Sequence, residues 1–205
     1  MKELILGSHN PHKIHEFGLI APDFSFSSPA KYGLTEGDSF EEVGRSFFEN
    51  AYGKAEQIHR LIFDRTGKRV PVLADDSGIC VEAFVGAPGI YSARYGSEIP
   101  NGPRTDAERT AFMLKNLDGK ANRNAHYVCC LVCYVGPDRF LSAQETWEGV
   151  LAETLSAGTT GFGYDPIFLI PPTMTPVAEI TEQEKASISH RAKAFNAIRQ
   201  ELIQL

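Results

Sequence analysis

Two adjacent carboxylates, Asp75 and Asp76, follow an apolar run at residues 70–74 that predicts a buried strand. Ser77 and Gly78 come next, and the glycine predicts a tight turn that ends the strand. Carboxylates at the end of a buried strand are costly unless something compensates their charge. A divalent cation or a role in activating water would supply that compensation. The alternative is an acidic turn that is capped by its own side chains.

A second group of polar residues, SHNPHK, lies between a predicted strand at residues 3–7 and a predicted helix. Asn10 is a suitable N-cap and Pro11 suits the first helical position. Free backbone N–H groups at a helix N-terminus bind anions, which predicts a phosphate site. A capped turn with a solvated lysine is the alternative. The candidate residues are Ser8, His9, Asn10, Pro11, His12 and Lys13.

An acidic loop carries Glu41 and Glu42, and either could join Asp76 as an oxygen ligand. Magnesium usually takes one or two carboxylates together with water and phosphate oxygens. Asn50 and Lys54 are spaced i,i+4 on the helix that follows, so they face one way and could line the same pocket. An acidic loop and a helix face that are simply solvated would explain these residues equally well.

The segment GFGYDP at residues 161–166 combines several specialised residues. Its two glycines allow the backbone to approach a ligand closely. Phe162 and Tyr164 offer planar surfaces on which a base could stack. Asp165 is held extended because proline follows it. So many specialised residues in one short segment favour a ligand-binding loop over an ordinary connecting loop.

Basic side chains gather before the last predicted helix, at Lys185, His190 and Arg191. Lys185 could hold a phosphate or a base. The adjacent His190 and Arg191 could donate to carbonyl oxygens on the edge of a base. The alternative is a helix start that carries solvated charges.

The composition limits the classes of protein to consider. The chain has 205 residues, 42% of them hydrophobic, which predicts one domain over residues 1–205 in which two lobes around a cleft are possible. The net charge of -6 argues against binding a nucleic-acid polymer. Apolar runs are too short to span a membrane, and the first residues lack a signal-peptide pattern. A cytoplasmic location is therefore expected.

The clustered cysteines Cys129, Cys130 and Cys133 are expected to be small buried hydrophobes, and the fourth, Cys80, lies in an apolar position. The clustered cysteines lie in the apolar run 127–135, on both faces of a predicted strand. A second Cys/His cluster with the spacing of a zinc finger is missing from the sequence. Unpaired thiols suit a reducing cytoplasm.

Strand and helix patterns mix along the whole chain. This mixture predicts an α/β fold with a central mixed sheet flanked by helices. The predicted strands are 3–7, 24–28, 70–74, 79–85 and a long hairpin formed by 125–135 and 139–147. The predicted helices begin at Pro11, Ser46, Asp106, the capping box Thr181-x-x-Glu184, and Ser189.

Together and in this order, these segments resemble the Ham1-like family of inosine and xanthosine triphosphate pyrophosphatases. The matching blocks span residues 8–195 and are SHNPHK, EEVG with FFENAYGKA, LADDSGICVEAFVGAPGIYSARYG, GFGYDPIF and EKASISHRAKAF. The resemblance implies an elongated mixed sheet between two lobes, with the active site in the cleft. It also implies a homodimer and a requirement for magnesium (Mg2+).

Carried over position by position, the resemblance implies roles for the residues above. Residues 8–13 would bind the triphosphate, and Ser8 keeps the hydroxyl where the family often has threonine. Glu41 and Asp76 would be metal ligands, although Glu42 stays an alternative to Glu41. Asp76 would also accept the proton. The expected substrate contacts are Ser77, Phe162, Gly163, Tyr164, Asp165, Lys185, His190 and Arg191.

The expected activity is hydrolysis of dITP, ITP and XTP to the monophosphate and pyrophosphate, which removes them from the nucleotide pool. A donor such as Arg191 would favour the C6 carbonyl of these bases over the amine of adenine. One alternative is a related pyrophosphatase that acts on dUTP or modified pyrimidine triphosphates. Another is a nucleotide-binding sensor without turnover.

Overall fold

A seven-stranded mixed sheet organises the computed structural model, which describes residues 2–8, 10–38 and 42–205. Its strands are β1 (Lys2–Leu6), β2 (Phe24–Ser27), β3 (Val72–Val81), β4 (Asn124–Gly136), β5 (Arg139–Leu151), β6 (Phe168–Ile170) and β7 (Thr175–Pro176). They lie in the order β2-β1-β3-β4-β5-β6-β7. β1 pairs parallel with β2 and β3, whereas β6 pairs antiparallel with β5 and β7. The predicted α/β fold with a central mixed sheet is confirmed.

The first four helices begin where side chains satisfy free backbone N–H groups. Asn10 accepts a hydrogen bond from the His12 amide, as predicted. Thr105 and Thr181 each form a complete capping box, and the box at Thr181 is the one that the sequence predicts. The helices are α1 (Pro11–Ile20), α2 (Phe47–Thr66), α3 (Asp106–Asn116), α4 (Glu182–Ile188) and α5 (His190–Gln204).

The predicted turn after the acidic pair is wrong, because β3 runs without interruption through Asp75, Asp76 and Gly78. A close approach to other backbone explains why glycine occupies position 78. A Cβ there would lie 2.3 Å from the Gly89 carbonyl oxygen and 2.5 Å from Ser92 Oγ. The acidic pair therefore lies inside a strand and not in a turn. β3 ends at Val81, earlier than the predicted 79–85 strand.

Backbone contacts divide the chain into two compact units, of which the first comprises Met1–Asp76, Cys129–Glu145 and His190–Leu205. One apolar face of α2 packs its alanine and isoleucine side chains against the sheet of this unit. A cluster of aromatic side chains joins α1, β2 and α5. In it, the Phe24 and Phe195 rings pack edge-to-face with their centroids 5.4 Å apart. This packing holds α1 and α5 side by side.

The second unit comprises Ser77–Val128 and Thr146–Ser189. Its core contains Tyr127 on β4, Trp147 on β5 and Phe168 on β6. The Tyr127 and Phe168 ring centroids are 4.5 Å apart. This core supports the GFGYDP loop that precedes β6. A cleft between two lobes stays a prediction.

Three of the cysteines, Cys129, Cys130 and Cys133, are buried in β4, as expected, whereas Cys80 is half-buried. Burial raises the pKa of Cys133 to about 12, so this thiol stays protonated at neutral pH. Within the part of the chain that the structure describes, every helix is too short or too polar to cross a bilayer.

Candidate functional site

The first cluster of functional side chains surrounds Asp75 on β3, which is 1% exposed. Lys13 Nζ donates to its Oδ1 at 2.9 Å, and Arg191 Nε donates to its Oδ2 at 3.2 Å. Burial alone would raise the pKa of Asp75, but the charges of Lys13 and Arg191 outweigh it and hold the pKa well below its usual range. Asp75 is therefore ionised and fully engaged by cations.

Asp76, the next residue along β3, has the opposite environment. It is 6% exposed, and Asn50 Nδ2 on α2 donates to its Oδ2 at 2.9 Å. Burial raises the pKa of Asp76 to about 6, even though the Asn50 hydrogen bond opposes that shift. Adjacent carboxylates whose pKa values are driven apart are typical of acid–base sites. Asp76 is thus the carboxylate suited to accept a proton near neutral pH.

Lys54 on α2 connects the acidic loop to this pair. Its Nζ donates to Glu42 Oε1 at 2.6 Å and to the Asp75 carbonyl oxygen at 3.1 Å. Burial would lower the pKa of Lys54, but Glu42 and Asp75 outweigh it and raise the pKa. The predicted face formed by Asn50 and Lys54 is confirmed, since both side chains reach the acidic pair.

The oxygen donors at Asp76 and Glu42 fit a hard divalent cation such as magnesium. The Glu42 charge raises the pKa of Asp76, and a cation would relieve that repulsion. Among residues 2–8, 10–38 and 42–205, no group of three or more His, Cys, Asp or Glu side chains is placed to hold a metal ion. Glu41, the other predicted ligand, lies outside the described residues.

The shifted pKa of Asp76 predicts a pH dependence of stability. Folding raises this pKa from 3.8 to about 6, so the folded chain binds the proton more tightly than the unfolded chain. The resulting stabilisation is fully present below about pH 4 and is lost as the pH rises through about 6. Relative to Asp76→Asn, the wild-type free energy of unfolding should therefore fall over that range. Urea unfolding of both proteins measures the difference, and a pH-independent difference would refute the assigned shift.

Glu16 on α1 is a further member of this cluster that the sequence did not predict. Its Oε2 accepts a hydrogen bond from Arg191 Nη1 at 2.8 Å, so Arg191 lies between Glu16 and Asp75. The arginine is 3% exposed. Glu16 lies three residues after Lys13 on one helix face, and this i,i+3 spacing was the available signal.

In the predicted phosphate segment, the side chains cap their own turn. Ser8 Oγ accepts from the Asn10 amide at 3.1 Å, and Asn10 Oδ1 accepts from the His12 amide at 2.9 Å. The structure brings Lys13 to Asp75 and leaves the His12 side chain exposed. His9 lies outside the described residues. Pro11 is at the first position of α1.

A second cluster, in the other unit, surrounds Asp165, which is 2% exposed. Its Oδ2 accepts from the Phe162 amide and from Lys185 Nζ, each at 2.8 Å. Its Oδ1 accepts from the Tyr127 hydroxyl at 3.1 Å. Lys185 Nζ also lies 4.9 Å from the centroid of the Phe162 ring, within range of a cation–π contact. Tyr127 was not among the predicted residues.

Asp165 begins a short 3-10 helix (Asp165–Ile167), so the predicted extended backbone at this position is wrong. The start of the GFGYDP loop precedes this turn. Gly161 and Gly163 have φ values of 83° and 64°, which glycine adopts without strain. The Tyr164 hydroxyl donates to the Ser92 carbonyl oxygen at 2.9 Å, and the Tyr164 ring is buried in the core. Phe162 is half-buried, so it is the ring of this predicted pair that keeps surface for stacking.

The other two predicted contacts, Ser77 and His190, lie in a strand and at the start of a helix. Ser77 is half-buried on β3, directly after the acidic pair. His190 is the first residue of α5 and is buried.

The chain is similar over almost its whole length to known proteins of one family. The model of the Ham1 family matches residues 4–201. The chain is 42% identical over 197 residues to a dITP/XTP pyrophosphatase from Treponema denticola, covering 96% of each chain. It is 41% identical to the dITP/XTP pyrophosphatase of Ralstonia nicotianae, covering 95% of this chain and 94% of that protein. A HAM1 protein structure from Coxiella burnetii superposes with a TM-score of 0.83 at 33% identity, covering 100% of both chains.

Proposed function

The chain belongs to the Ham1 family, and on that premise we propose that it hydrolyses dITP, ITP and XTP to the nucleoside monophosphate and pyrophosphate. The supporting observation is the acidic pair: Asp75 is locked by cations, whereas burial leaves the pKa of Asp76 at about 6. That arrangement provides one permanent anion and one proton acceptor. Relatives named dITP/XTP pyrophosphatase supply the substrate class.

The reaction that we assign to Asp76 is acceptance of a proton from the attacking water. The water oxygen forms a bond to the α-phosphorus, and the bridging Pα–O bond breaks. Its electron pair leaves with pyrophosphate, while the water proton passes to the Asp76 carboxylate. The Asn50 hydrogen bond holds Asp76 Oδ2 in place during this transfer.

Magnesium is the proposed cofactor, with Asp76 and Glu41 as its ligands and Glu42 as the alternative to Glu41. When bound, the ion would neutralise phosphate charge that develops during the displacement. Lys13 and the segment Ser8–Lys13 would bind the triphosphate. Because Lys13 Nζ is already at Asp75, phosphate would compete with that carboxylate for the ammonium group.

We assign binding of the nucleotide base to the second cluster, around Asp165. The exposed part of the Phe162 ring would stack on the base, and Lys185 beside it would donate to a carbonyl or phosphate oxygen. Arg191 is held by two carboxylates, which keeps its guanidinium in one orientation. The full set of proposed substrate contacts is Ser77, Phe162, Gly163, Tyr164, Asp165, Lys185, His190 and Arg191.

The same proposal includes the assembly, location, domain organisation and cellular task of the chain. The chain would act as a homodimer in the cytoplasm, and it would form a single domain of two lobes over residues 1–205. Its task would be to remove nonstandard purine nucleotides from the pool. Its net charge of -6 supports a free nucleotide, not a nucleic-acid polymer, as the partner.

The position of bond cleavage tests the proposed reaction. The chain is incubated with dITP and magnesium in water labelled with heavy oxygen, and the products are analysed by mass spectrometry. Attack at the α-phosphorus predicts labelled dIMP and unlabelled pyrophosphate. Release of inorganic phosphate with dIDP would contradict the proposal.

A further inference from the structure

We propose that Tyr127 is a positioning residue, whose hydroxyl fixes the Asp165 carboxylate and thereby holds Lys185 and Phe162 in the arrangement that binds the base. The inference rests on the proposed function for the identity of the substrate. The network itself is defined by contacts within one unit of the chain.

Three donors are divided between the two oxygens of Asp165. Oδ2 accepts from the Phe162 amide and from Lys185, whereas Oδ1 accepts from Tyr127. With donors at both oxygens, rotation of the carboxylate would break hydrogen bonds on either side. The Tyr127 hydroxyl therefore fixes the plane in which Oδ2 meets its two partners.

The loop beside this carboxylate has little free space. A Cβ added at Gly161 would lie 2.0 Å from Asp165 Oδ2 and 3.2 Å from Lys185 Nζ. The carboxylate thus packs directly against the Gly161 backbone. A change in its orientation would shift the loop as well as the lysine.

Tyr127 is well placed to act as a rigid donor. It lies on β4, and its ring centroid is 4.5 Å from that of Phe168 and 6.4 Å from that of Trp147. These ring contacts do not involve the hydroxyl group. Tyr127→Phe should therefore keep the packing and remove the donor to Asp165.

We expect Tyr127→Phe to weaken substrate binding more than it slows the chemical step. Without the Tyr127 donor, a buried carboxylate oxygen loses a partner, and the Lys185 and Phe162 groups lose their common anchor. The network contains none of the groups that accept the proton. We expect KM for dITP to rise about three- to ten-fold in Tyr127→Phe, with little change in kcat.

Hydrogen exchange provides a measurement that needs no substrate. The Phe162 amide donates to Asp165 Oδ2, so the peptide that covers residues 158–166 should exchange faster in Tyr127→Phe. Peptides from β5 should exchange as in the wild type. Tyr95→Phe is the matched control, because it removes a hydroxyl that accepts from Asn116 in the same unit and should change neither KM nor this exchange.

A double-variant cycle separates positioning from general destabilisation. In an Asp165→Asn background, which alters the anchor itself, Tyr127→Phe should produce no further rise in KM. Equal effects in both backgrounds would overturn the inference, because Tyr127 would then act independently of Asp165. Unchanged exchange at 158–166, unchanged KM, or a fall in kcat alone would also overturn it.

The two proposals fail in distinguishable ways. Absence of dITP hydrolysis by the wild-type chain would refute the proposed function. The exchange measurement would still decide whether the Tyr127 hydroxyl holds the loop. Hydrolysis by the wild type with no response to Tyr127→Phe would refute the positioning role alone.

Discussion

Asp76→Asn should lower the rate of pyrophosphate release from dITP by about 10³-fold, within the range typical of a lost general base. The amide has nearly the shape of the carboxylate, and its oxygen can still accept the Asn50 hydrogen bond. It cannot take the proton of the attacking water, and it is a weaker ligand for a divalent cation. Initial rates at saturating magnesium measure the effect.

The stability of Asp76→Asn separates a chemical defect from an unfolded protein. Burial disfavours the Asp76 charge, as its raised pKa shows, so removing that charge should preserve or increase stability at neutral pH. Asp64→Asn, the same change at an exposed position of α2, is the control and should leave the rate unchanged. Normal turnover of Asp76→Asn with unaltered magnesium dependence would contradict the assigned role.

Glu16→Gln should lower the free energy of unfolding by about 3 kcal/mol, because removing one partner of a buried ion pair leaves the other charge poorly compensated. Arg191 is buried between Glu16 and Asp75, and Lys13 also depends on Asp75. Loss of the Glu16 charge leaves two cations to share one carboxylate. Urea unfolding followed by circular dichroism gives the measurement.

Glu3→Gln is the control for the Glu16 variant. Glu3 pairs with Lys31 at the surface, where the two side chains are 39% and 46% exposed and water screens the pair, so this substitution should leave the free energy of unfolding nearly unchanged. Equal stability losses in the two variants would show that the buried position of Glu16 has no special importance. A stable Glu16→Gln protein would contradict the interpretation of Arg191 as a cation held by two acids.

Local signals in the sequence predicted a large part of the fold. Asn10, Thr105 and Thr181 cap helices through hydrogen bonds to residues two or three positions away, which a sequence pattern can reveal. Gly78 was misinterpreted because its special environment is Ser92, a tertiary neighbour. Glycine in a strand signals either a turn or a close approach, and periodicity alone does not distinguish them.

For the candidate site, too, the sequence revealed the types of the functional residues but not their distant partners. The residue types at Asp75, Asp76 and Lys185 indicated their chemistry. Their partners did not follow from spacing: Glu16 and Arg191 are 175 positions apart, and Tyr127 and Asp165 are 38 apart. The opposite pKa shifts of Asp75 and Asp76 depend on those distant cations and on burial, so they became visible only in the structure.

The proposed activity can be decided by measuring pyrophosphate release from dITP, XTP, dGTP, dATP and dUTP, with magnesium and with EDTA. We expect magnesium-dependent release from dITP and XTP, with little from dGTP and dATP. Activity centred on dUTP would assign the chain to pyrimidine nucleotides. Binding of dITP without release from any substrate would identify a sensor, and either result would contradict the proposed function.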